Sequence, residues 1–394
     1  MPELPEVETT RRQISEEFIL ARRGGSSAPT ASTSAPAAAS ESGDLQREVF
    51  VSEGFEPGDL DSETGAGPVL RSVECVCASL RSAVPSDLDT ELAGSRLVRV
   101  LRRGKYLVLI FRRAQADRDP PPPLLVHLGM SGWMCAYVAD KKLPKHSHVV
   151  FNWSDRRRLV YNDARRFGTV DWCRSKKSSK QTTHQWQTDF RLRHLGPEPF
   201  SMGPEPFSMG PEPFSVPVNA LPSADALPSD DAPVAFTVDY MCERARGKRV
   251  AVKKFLMDSR VVVGVGNIYA AEALFAARLR PDTRVCDLSR SHWEIIVQSV
   301  RDVLTRAIAA KGTTFRDFKS GQGEPGYFLG NLQVYGRAGK GCLRCDRPLT
   351  NLKLGGRQTV CCLACQRLIL PPNADDEPTT TTTSEGDNND DDND

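Results

Sequence analysis

Hydrophobic positions follow two different periods in two parts of the chain. From about Val69 to Asp171, apolar and polar residues alternate in short runs such as RLVRVLRRGKYLVLIF and LLVHLGMSGWM, with turn residues between them. From about Phe236 to Lys311, apolar residues recur every three or four positions. Alternation is typical of half-buried strands, and the longer period is typical of amphipathic helices. The pattern predicts an antiparallel β-sandwich or barrel followed by a helical domain.

Three segments follow neither period. Residues 21–68 are rich in Ala, Ser, Thr, Gly and acidic residues, so we expect a disordered insertion that buries little apolar area. A seven-residue unit occurs three times from His194 to Ser215, as HLGPEPFS, MGPEPFS and MGPEPFS. We interpret these repeats as an expanded linker without a chemical role. Residues 371–394 contain a Thr run and an Asp-rich end, and they are expected to form a disordered tail.

These transitions divide the chain into five predicted segments. Residues 2–20 are predicted to form a helix at the start of the first segment, because Pro and acidic residues favour a first helical turn. The predicted fold class is therefore α+β and multidomain. The segments are a β-sandwich domain with an N-terminal helix (1–193), a repeat-containing linker (194–235), a helical domain (236–334), a short Cys-rich unit (335–370) and an acidic tail (371–394).

The net charge of +2 hides an uneven distribution of charge along the chain. Residues 371–394 contain nine acidic residues and no Lys or Arg, so the rest of the chain carries about +11. This excess suits a polyanionic partner. No apolar run approaches the length of a membrane span, so no membrane partner is expected. The start, MPELPEVETTRR, lacks the features of a targeting peptide. We therefore expect a nuclear location for a eukaryotic source and a cytoplasmic location otherwise.

Five of the 11 cysteines lie within one short stretch near residue 350. Two C-x2-C pairs can wrap four thiolates around one Zn²⁺ ion, and four Cys ligands leave no open position for catalysis. The sequence therefore predicts one structural zinc ion. Cys361 is a further candidate, although choosing it breaks the second pair. The predicted ligands are Cys342, Cys345, Cys362 and Cys365.

The first residues suggest an unusual nucleophile. Once Met1 is removed, Pro2 presents a secondary amine, which can attack an anomeric carbon and form an iminium ion that drives β-elimination. Glu3 and Glu6 lie beside it, and a carboxylic acid there can protonate a sugar oxygen. Pro and Glu are also favoured at ordinary helix starts, so composition alone leaves both explanations open.

Four further motifs carry candidate side chains. RRGKYLV places Lys105 on a strand, and HLGMSG places Met130 in a turn. DARRFG places Arg165 and Phe167 together in a turn. An aromatic side chain beside cations can wedge into a base stack. GVGNIYAAE is a Gly-rich turn entering a helix, which can offer backbone N–H groups and Asn267 to a phosphate. Taken singly, each motif also has an ordinary explanation as packing, a turn or a solvated face.

Together, these motifs resemble the formamidopyrimidine-DNA glycosylase family of the bacterial type. MPELPEVETTRR, RRGKYL, HLGMSG, KHSH, DARRFG, LMDSRVVVGVGNIYAAEALF, PGYF, QVYGR and the paired C-x2-C motifs occur in the family's order. The resemblance implies a two-domain DNA clamp. One domain is a β-sandwich carrying the catalytic N-terminal helix, and the other is a helix-two-turn-helix domain followed by a C-terminal zinc finger with four cysteine ligands. The insertion, the repeats and the tail are not covered.

The resemblance also implies roles for individual residues. Pro2 resembles the Schiff-base nucleophile, Glu3 the general acid that opens the sugar ring, and Glu6 its support. Lys105 is similar to the lysine of β-elimination, and Arg357 to the arginine of the zinc finger that serves δ-elimination. Met130, Arg165 and Phe167 resemble the trio that fills the void left by a flipped base. The remaining implied contacts to the DNA backbone are His127, His146, Lys248, Lys253, Asn267 and Tyr335.

The implied activity is that of a bifunctional DNA glycosylase/AP lyase. It excises 8-oxoguanine and formamidopyrimidines from duplex DNA in base excision repair, through a Schiff base on Pro2 and β,δ-elimination. The expected partner is double-stranded DNA with oxidised bases or abasic sites, bound by a monomer. Two alternatives are an endonuclease VIII-like glycosylase for oxidised pyrimidines and a non-catalytic protein that binds damaged DNA. ELPEV and the intact trio point away from the first, and the intact Pro2, Glu3, Glu6 and Lys105 point away from the second.

Overall fold

The computed structural model describes most of the two folded regions that the sequence pattern predicts. The described residues are 2–20, 67–115, 119–173, 186, 189–200, 234–313 and 328–370. Nearly all of the predicted insertion at 21–68, the second and third repeat copies and the tail at 371–394 lie outside this set. The PGYF motif also lies outside it, except for Phe328.

The N-terminal helix connects the two hydrophobic cores of the molecule. Helix α1 (Leu4–Ser15) continues into one π-helical segment (Glu16–Leu20). Val7 and Ile14 of α1 pack into the core of the sandwich. Leu4, at the first turn, packs instead into the core of the helical domain. The start of α1 therefore lies where the two domains meet.

The predicted sandwich is confirmed as two antiparallel four-stranded sheets, ordered β1-β6-β7-β5 and β2-β3-β4-β8. Successive residues of a strand point to opposite faces, and in β3 both faces are buried. Leu107 and Leu109 pack into the core between the sheets, whereas Val108 and Ile110 pack with Trp186 on the other face. A short helix, α2 (Leu88–Leu92), follows β1. The strands are β1 (Leu70–Cys75), β2 (Ser95–Arg103), β3 (Tyr106–Arg113), β4 (Leu124–His127), β5 (Trp133–Val138), β6 (Ser147–Trp153), β7 (Arg157–Asn162) and β8 (Thr169–Trp172).

In the described part of the second domain there are four α-helices, as the longer period predicts. Thr237 caps the first of them by accepting a hydrogen bond from Tyr240 N at 3.2 Å. Apolar faces of these helices, including the buried Trp293, share one core. Among the described residues, no helix is both long and apolar enough to cross a membrane. The helices are α3 (Val238–Ala245), α4 (Val252–Leu256), α5 (Asn267–Ala276) and α6 (Arg290–Ala309).

A two-stranded hairpin completes the described fold. Strands β9 (Thr350–Leu354) and β10 (Arg357–Cys361) pair in antiparallel register. A small cluster that includes Val360 packs the hairpin against Ala271 and Phe275 of α5. The hairpin is thereby attached to the same helix whose start faces α1.

The first repeat copy differs from the loose linker that composition predicts. Glu198 is 8% exposed and Phe200 is 6% exposed. Phe200 packs into the core of the helical domain. Composition misled here because the copy is rich in Pro and Gly, whereas its two large side chains are held by residues distant in sequence.

Candidate active site

Glu3 is buried between the start of α1 and the start of α5. Its carboxylate accepts hydrogen bonds from Gly266 N at 2.7 Å, Ile268 N at 3.0 Å and Tyr269 N at 3.3 Å. A methyl group on Gly266 would lie 2.4 Å from Glu3 Oε1, so only glycine allows this approach. Burial raises the pKa of Glu3, and Lys105 and the backbone donors partly oppose that shift. A raised pKa suits a carboxyl group that must hold a proton near neutral pH.

The arrangement corrects one expectation for the Gly-rich turn. We expected its N–H groups to bind a phosphate, but those of Gly266, Ile268 and Tyr269 are bound to Glu3. Helix N-termini favour any anion, and here a carboxylate from 263 to 266 positions away occupies the site.

Glu6 connects the N-terminal turn to α5 and to the segment that follows α6. Its Oε2 accepts a hydrogen bond from Glu3 N at 2.8 Å. Its Oε1 accepts from Tyr269 Oη at 2.6 Å, Thr313 N at 2.7 Å and Thr313 Oγ1 at 2.9 Å. With four donors, the Glu6 carboxylate is fixed in place. It therefore holds the backbone beside Pro2, which is itself buried.

Lys105 lies in the turn between β2 and β3, one residue before the strand, and not on a strand as its motif led us to expect. Its side chain points toward the same corner. Its Nζ donates to Val265 O at 3.3 Å. Burial lowers the pKa of Lys105, whereas the charges of Glu3 and Glu6 raise it. We call Pro2, Glu3, Glu6 and Lys105 the carboxylate corner. The structure thus brings together four residues that the sequence predicts as catalytic.

Two neighbouring turns present the predicted trio at the protein surface. Met130 is 40% exposed and Phe167 is 44% exposed. The guanidinium carbon of Arg165 lies 4.8 Å from the centroid of the Phe167 ring. The turn backbones are joined through Ser131, whose hydroxyl accepts from Arg165 N at 3.2 Å. We call Met130, Arg165 and Phe167 the exposed trio.

A buried carboxylate that sequence analysis missed organises these turns. Asp163 is fully buried, and its Oδ1 accepts from Ser131 Oγ at 2.6 Å. Its Oδ2 accepts from Gly168 N at 2.8 Å. The carbonyl of Asp163 also lies 2.9 Å from His148 Nε2. Asp163 was visible in the DARRFG motif, but only the fold reveals the distant partners that it connects.

The two predicted histidines lie near these turns. His127 ends β4, and its Nδ1 accepts from Gly129 N at 3.1 Å, so a neutral ring carries its proton on Nε2. Burial, with Lys105 adding to it, lowers the pKa of His127 to about 4. His146 lies on an exposed loop, and its carbonyl accepts from Asp163 N at 3.1 Å. His127 is therefore a neutral donor at physiological pH.

A basic groove of about 640 Å³ separates α3 and α4 from the β9–β10 hairpin. It brings together three residues that the sequence predicts as DNA contacts or catalytic groups. Asp258 is the one acidic side chain among the groove's described lining, so the charge of the groove is strongly positive. The basic lining residues are Arg244, Lys248, Lys253, Lys254, Arg260 and Arg357.

Lys253 connects α4 to α5 and to the hairpin. It therefore differs from a solvated lysine on an ordinary helix face. It is 1% exposed, and its Nζ lies 2.7 Å from both Asn267 Oδ1 and Thr359 Oγ1. Asn267 Nδ2 in turn donates to Gln358 O at 3.3 Å. Burial lowers the pKa of Lys253 to about 8. Lys253 and Asn267 therefore act as one unit beside the exposed Arg357.

Tyr335 is positioned by a second carboxylate that sequence analysis missed. Glu272 of α5 is 4% exposed, and it accepts from Gln333 N at 2.8 Å, Val334 N at 3.0 Å and Tyr335 N at 2.8 Å. The side chain of Tyr335 interacts with Asn267, which partly opposes the raised pKa that burial gives Tyr335. Glu272 therefore places Tyr335 beside the Lys253–Asn267 pair.

The four predicted zinc ligands converge at the base of the hairpin, where their sulfur atoms all lie within 4.8 Å of one another. The Sγ atoms of Cys342 and Cys365 are 3.9 Å apart, and those of Cys345 and Cys362 are 3.5 Å apart. Four thiolates about 2.3 Å from a tetrahedral Zn²⁺ ion require similar separations. The donor set therefore fits a metal ion, and the neighbouring Cys361 lies outside the group.

Comparison with known proteins agrees with this geometry. Residues 62–170 match the formamidopyrimidine-DNA glycosylase N-terminal domain, and residues 227–319 match the formamidopyrimidine-DNA glycosylase H2TH domain. The formamidopyrimidine-DNA glycosylase of Rickettsia africae is 36% identical over 304 residues, which cover 76% of this chain and 92% of that protein. The protein of the same name from a Marinomonas species is 33% identical over 93% of this chain and 100% of its own length.

Solved structures show the same fold. A complex of Lactococcus lactis Fpg with DNA containing N7-benzyl-Fapy-dG has a TM-score of 0.64 at 24% identity, covering 93% of this chain and all of that one. The MutM (Fpg) protein of Thermus thermophilus has a TM-score of 0.60 at 25% identity, covering 93% of this chain and 98% of that one. These structures confirm the predicted fold class, with its sandwich, helical domain and cysteine hairpin.

Proposed function

We propose how this chain acts from the premise that it belongs to the formamidopyrimidine-DNA glycosylase family and is a DNA glycosylase. Its substrate is duplex DNA that contains oxidised purines, and it also cleaves the resulting abasic strand. The observation that carries this proposal is the carboxylate corner. Glu3, which has a raised pKa and interacts with Lys105, directly follows Pro2, whose nitrogen becomes an amine once Met1 is removed.

The first step joins the enzyme to the sugar. The Pro2 nitrogen attacks C1′ of the damaged nucleotide, and the bond from C1′ to the base breaks. Glu3 donates its proton to the ring oxygen, so the sugar opens and an iminium ion forms between Pro2 and C1′. Glu6 holds this turn through Glu3 N, which limits the motion of the nucleophile.

Strand cleavage follows from the electron demand of the iminium ion. Loss of a proton from C2′ allows the 3′ phosphate to leave by β-elimination, and a second elimination releases the 5′ phosphate. Lys105 is the cation nearest to this chemistry at the carboxylate corner, and Arg357 approaches from the hairpin. We propose that they bind the phosphates that leave. Hydrolysis of the iminium ion then frees Pro2.

The exposed trio and the basic groove hold the DNA. When a damaged base leaves the stack, Met130, Arg165 and Phe167 can fill its place, because they are exposed while their turns are fixed by Asp163. Lys248 and Lys253 bind phosphates along the groove, and Asn267 and Tyr335 add contacts beside Lys253. His127 and His146 contact the backbone beside the trio.

We assign Zn²⁺ to the four cysteines. Its chemistry there is structural, since four thiolates complete a tetrahedral shell. The ion stabilises a hairpin that is too short to fold alone, and the hairpin carries Arg357 into the groove.

The experiment that tests the proposed function compares duplexes that differ in one base. One carries 8-oxoguanine, a second carries an oxidised pyrimidine and a third is undamaged. We expect excision and strand cleavage mainly on the first. Preferred cleavage of the second would favour an endonuclease VIII-like specificity, and tight binding without cleavage of any would favour a non-catalytic protein.

A further inference from the structure

The first repeat copy contains a pentapeptide, Gly196–Phe200, that is bound on one side by the helical domain. Gly196 N donates to Ser259 O at 2.8 Å, and Val263 N donates to Pro197 O at 3.1 Å. Phe200 is buried in the core of that domain. These contacts hold the pentapeptide against the segment that leads into α5.

On its other side, Glu198 binds the turn between β2 and β3. The Glu198 carboxylate accepts from Gly104 N at 2.7 Å, Arg102 Nη1 at 2.8 Å and Arg103 Nη1 at 3.0 Å. Arg102 Nη1 also donates to Gly104 O at 3.1 Å. Both backbone polar groups of Gly104 are thus fixed, and Lys105 is the next residue. The Arg102 and Arg103 charges also lower the pKa of Glu198 against the effect of its burial.

The turn that contains Gly104 packs against the segment that supplies the hydrogen-bond acceptor of Lys105. A methyl group on Gly104 would lie 3.0 Å from Val263 Cβ, so the turn packs closely on this segment. Val265, two residues further, supplies the carbonyl that accepts the hydrogen bond of Lys105 Nζ at 3.3 Å. Removing the Glu198 carboxylate would leave Gly104 N without its acceptor, and Arg102 and Arg103 would each lose an ion pair while keeping their other acceptors. We therefore expect Lys105 to shift if Glu198 is lost.

The side chain of Arg301 binds the chain both just before and just after the segment 201–235. Arg301 Nε donates to Pro199 O at 2.9 Å, and Arg301 Nη2 donates to Phe236 O at 2.7 Å. Pro199 and Phe236, which flank residues 201–235, therefore lie close together. The entropy of closing such a loop changes only slowly with its length, so adding or removing one repeat costs little.

The sequence contains the same pentapeptide twice more. GPEPF recurs at 203–207 and at 210–214, with Glu205 and Glu212 in the position of Glu198. The preceding residue is Leu195 in the first copy and Met in the other two, which is a small change in an apolar side chain. Each copy therefore offers the same carboxylate, prolines and phenylalanine at the same spacing.

We propose that Glu198 is a positioning residue for Lys105 and that its binding site accepts any of the three pentapeptides. Glu205 or Glu212 takes the place of Glu198 when the chain shifts by one or two repeats, and the loops on either side change length to match. The catalytic part of this inference rests on the role proposed for Lys105. The repeats then act as replacements for one another and protect the geometry of Lys105 against loss of one copy.

Four variants test the inference on a duplex with a preformed abasic site. They are Glu198→Gln, the double variant Glu205→Gln with Glu212→Gln, the triple variant with all three changes, and Glu198→Gln in a chain lacking residues 202–215. The wild-type chain and the chain lacking 202–215 are the controls. Single-turnover cleavage is measured at saturating enzyme, together with DNA affinity and the melting temperature. Because folded enzyme still saturates the DNA, a smaller folded fraction by itself leaves the measured rate constant of cleavage unchanged.

We expect Glu198→Gln and the double variant to cleave within about threefold of wild type, since an intact copy remains to fill the site. The triple variant, and Glu198→Gln without residues 202–215, should cleave about 10²-fold more slowly with unchanged DNA affinity, because Lys105 is misplaced. Both should also melt at a lower temperature than Glu198→Gln alone.

Three results would overturn parts of the inference. If Glu198→Gln alone is as slow and as unstable as the triple variant, the other copies do not replace the first. If the triple variant melts early but cleaves at the wild-type rate, Glu198 does not position Lys105. If the wild-type chain cleaves no abasic DNA, the proposed lyase activity fails, while the melting temperatures still decide how many copies can bind.

Discussion

The carboxylate corner and the exposed trio differ in how completely the protein binds them. At the corner, Glu3 and Glu6 are 1% and 2% exposed, and their carboxylates accept hydrogen bonds from backbone and side-chain donors of α5 and of the segment that follows α6. In the trio, Met130 and Phe167 are 40% and 44% exposed. Under the proposed function, the contrast separates groups that are oriented before DNA binds from groups that would complete their contacts only with DNA.

The same contrast distinguishes chemistry from recognition. A catalytic acid must already point at the sugar, since preorganised groups need no reorganisation during the reaction. A wedge must enter a void that exists only after a base has flipped, so its own surface stays exposed until then. Substitutions at the corner should therefore affect both stability and catalysis, whereas substitutions in the trio should affect DNA binding alone.

The largest effect is expected from Glu3→Gln. The amide cannot supply an acidic proton, and its NH₂ group would face backbone N–H donors of α5. Base excision should fall by roughly 10²–10⁴-fold, and unfolding should become easier by about 1–3 kcal/mol. Single-turnover excision and urea denaturation measure the two effects. Glu272→Gln is the matched control, since Glu272 also accepts from three backbone N–H groups. Equal excision rates in the two variants would contradict the acid role of Glu3.

Loss of the metal site should rank second. Cys345→Ser, or removal of the ion by a chelator, should unfold the hairpin and weaken DNA binding, because Arg357 and the partners of Lys253 are lost together. Metal content and DNA affinity are the measurements. Cys286→Ser is the control, since Cys286 is an exposed cysteine outside the hairpin. Retention of DNA affinity after the metal is removed would show that the hairpin folds without it.

A smaller effect is expected in the trio. Phe167→Ala should weaken binding to duplexes with a flipped base by about 1–3 kcal/mol, and the free energy of unfolding should change by less than about 0.5 kcal/mol. Phe190→Ala is the matched control, because Phe190 is 46% exposed and also lies beside an arginine. A loss of stability as large as that of Glu3→Gln would remove the distinction between the two regions.

The smallest effect is a dependence of DNA affinity on pH. Burial lowers the pKa of Lys253 to about 8, so Lys253 is charged below that pH and loses its charge as the pH rises. Affinity should decline by less than about tenfold between pH 7 and pH 9, as one phosphate contact weakens. Binding isotherms of wild type and Lys253→Arg check this, because arginine keeps its charge in this range. A similar decline in both proteins would assign the titration to another group.

The sequence alone predicted the features that depend on local patterns. The period of two located the sandwich, the longer period located the helices, and the paired C-x2-C motifs located Cys342, Cys345, Cys362 and Cys365, which the structure brings together. Such signals lie within a few residues of one another, so no knowledge of the fold is needed to detect them.

The missed residues share a different property. Asp163, Glu198 and Glu272 are buried carboxylates whose partners lie 32, 94 and 63 positions away, respectively. Nothing in a local pattern distinguishes them from acidic residues at the surface, which is where most such residues lie. The sequence likewise predicts that the N–H groups of the Gly-rich turn bind a phosphate. Glu3, which binds them instead, is more than 260 positions away in sequence and reaches the turn only in the folded protein.

The most direct test of the account is borohydride trapping on a duplex that carries one 8-oxoguanine. We predict a covalent protein–DNA product, because the reagent reduces the iminium ion between Pro2 and C1′. Pro2→Gly, or a chain that retains Met1, should give little of this product. Binding without trapping or cleavage, on this duplex and on one carrying an oxidised pyrimidine, would contradict the claim that the N-terminal amine is the nucleophile.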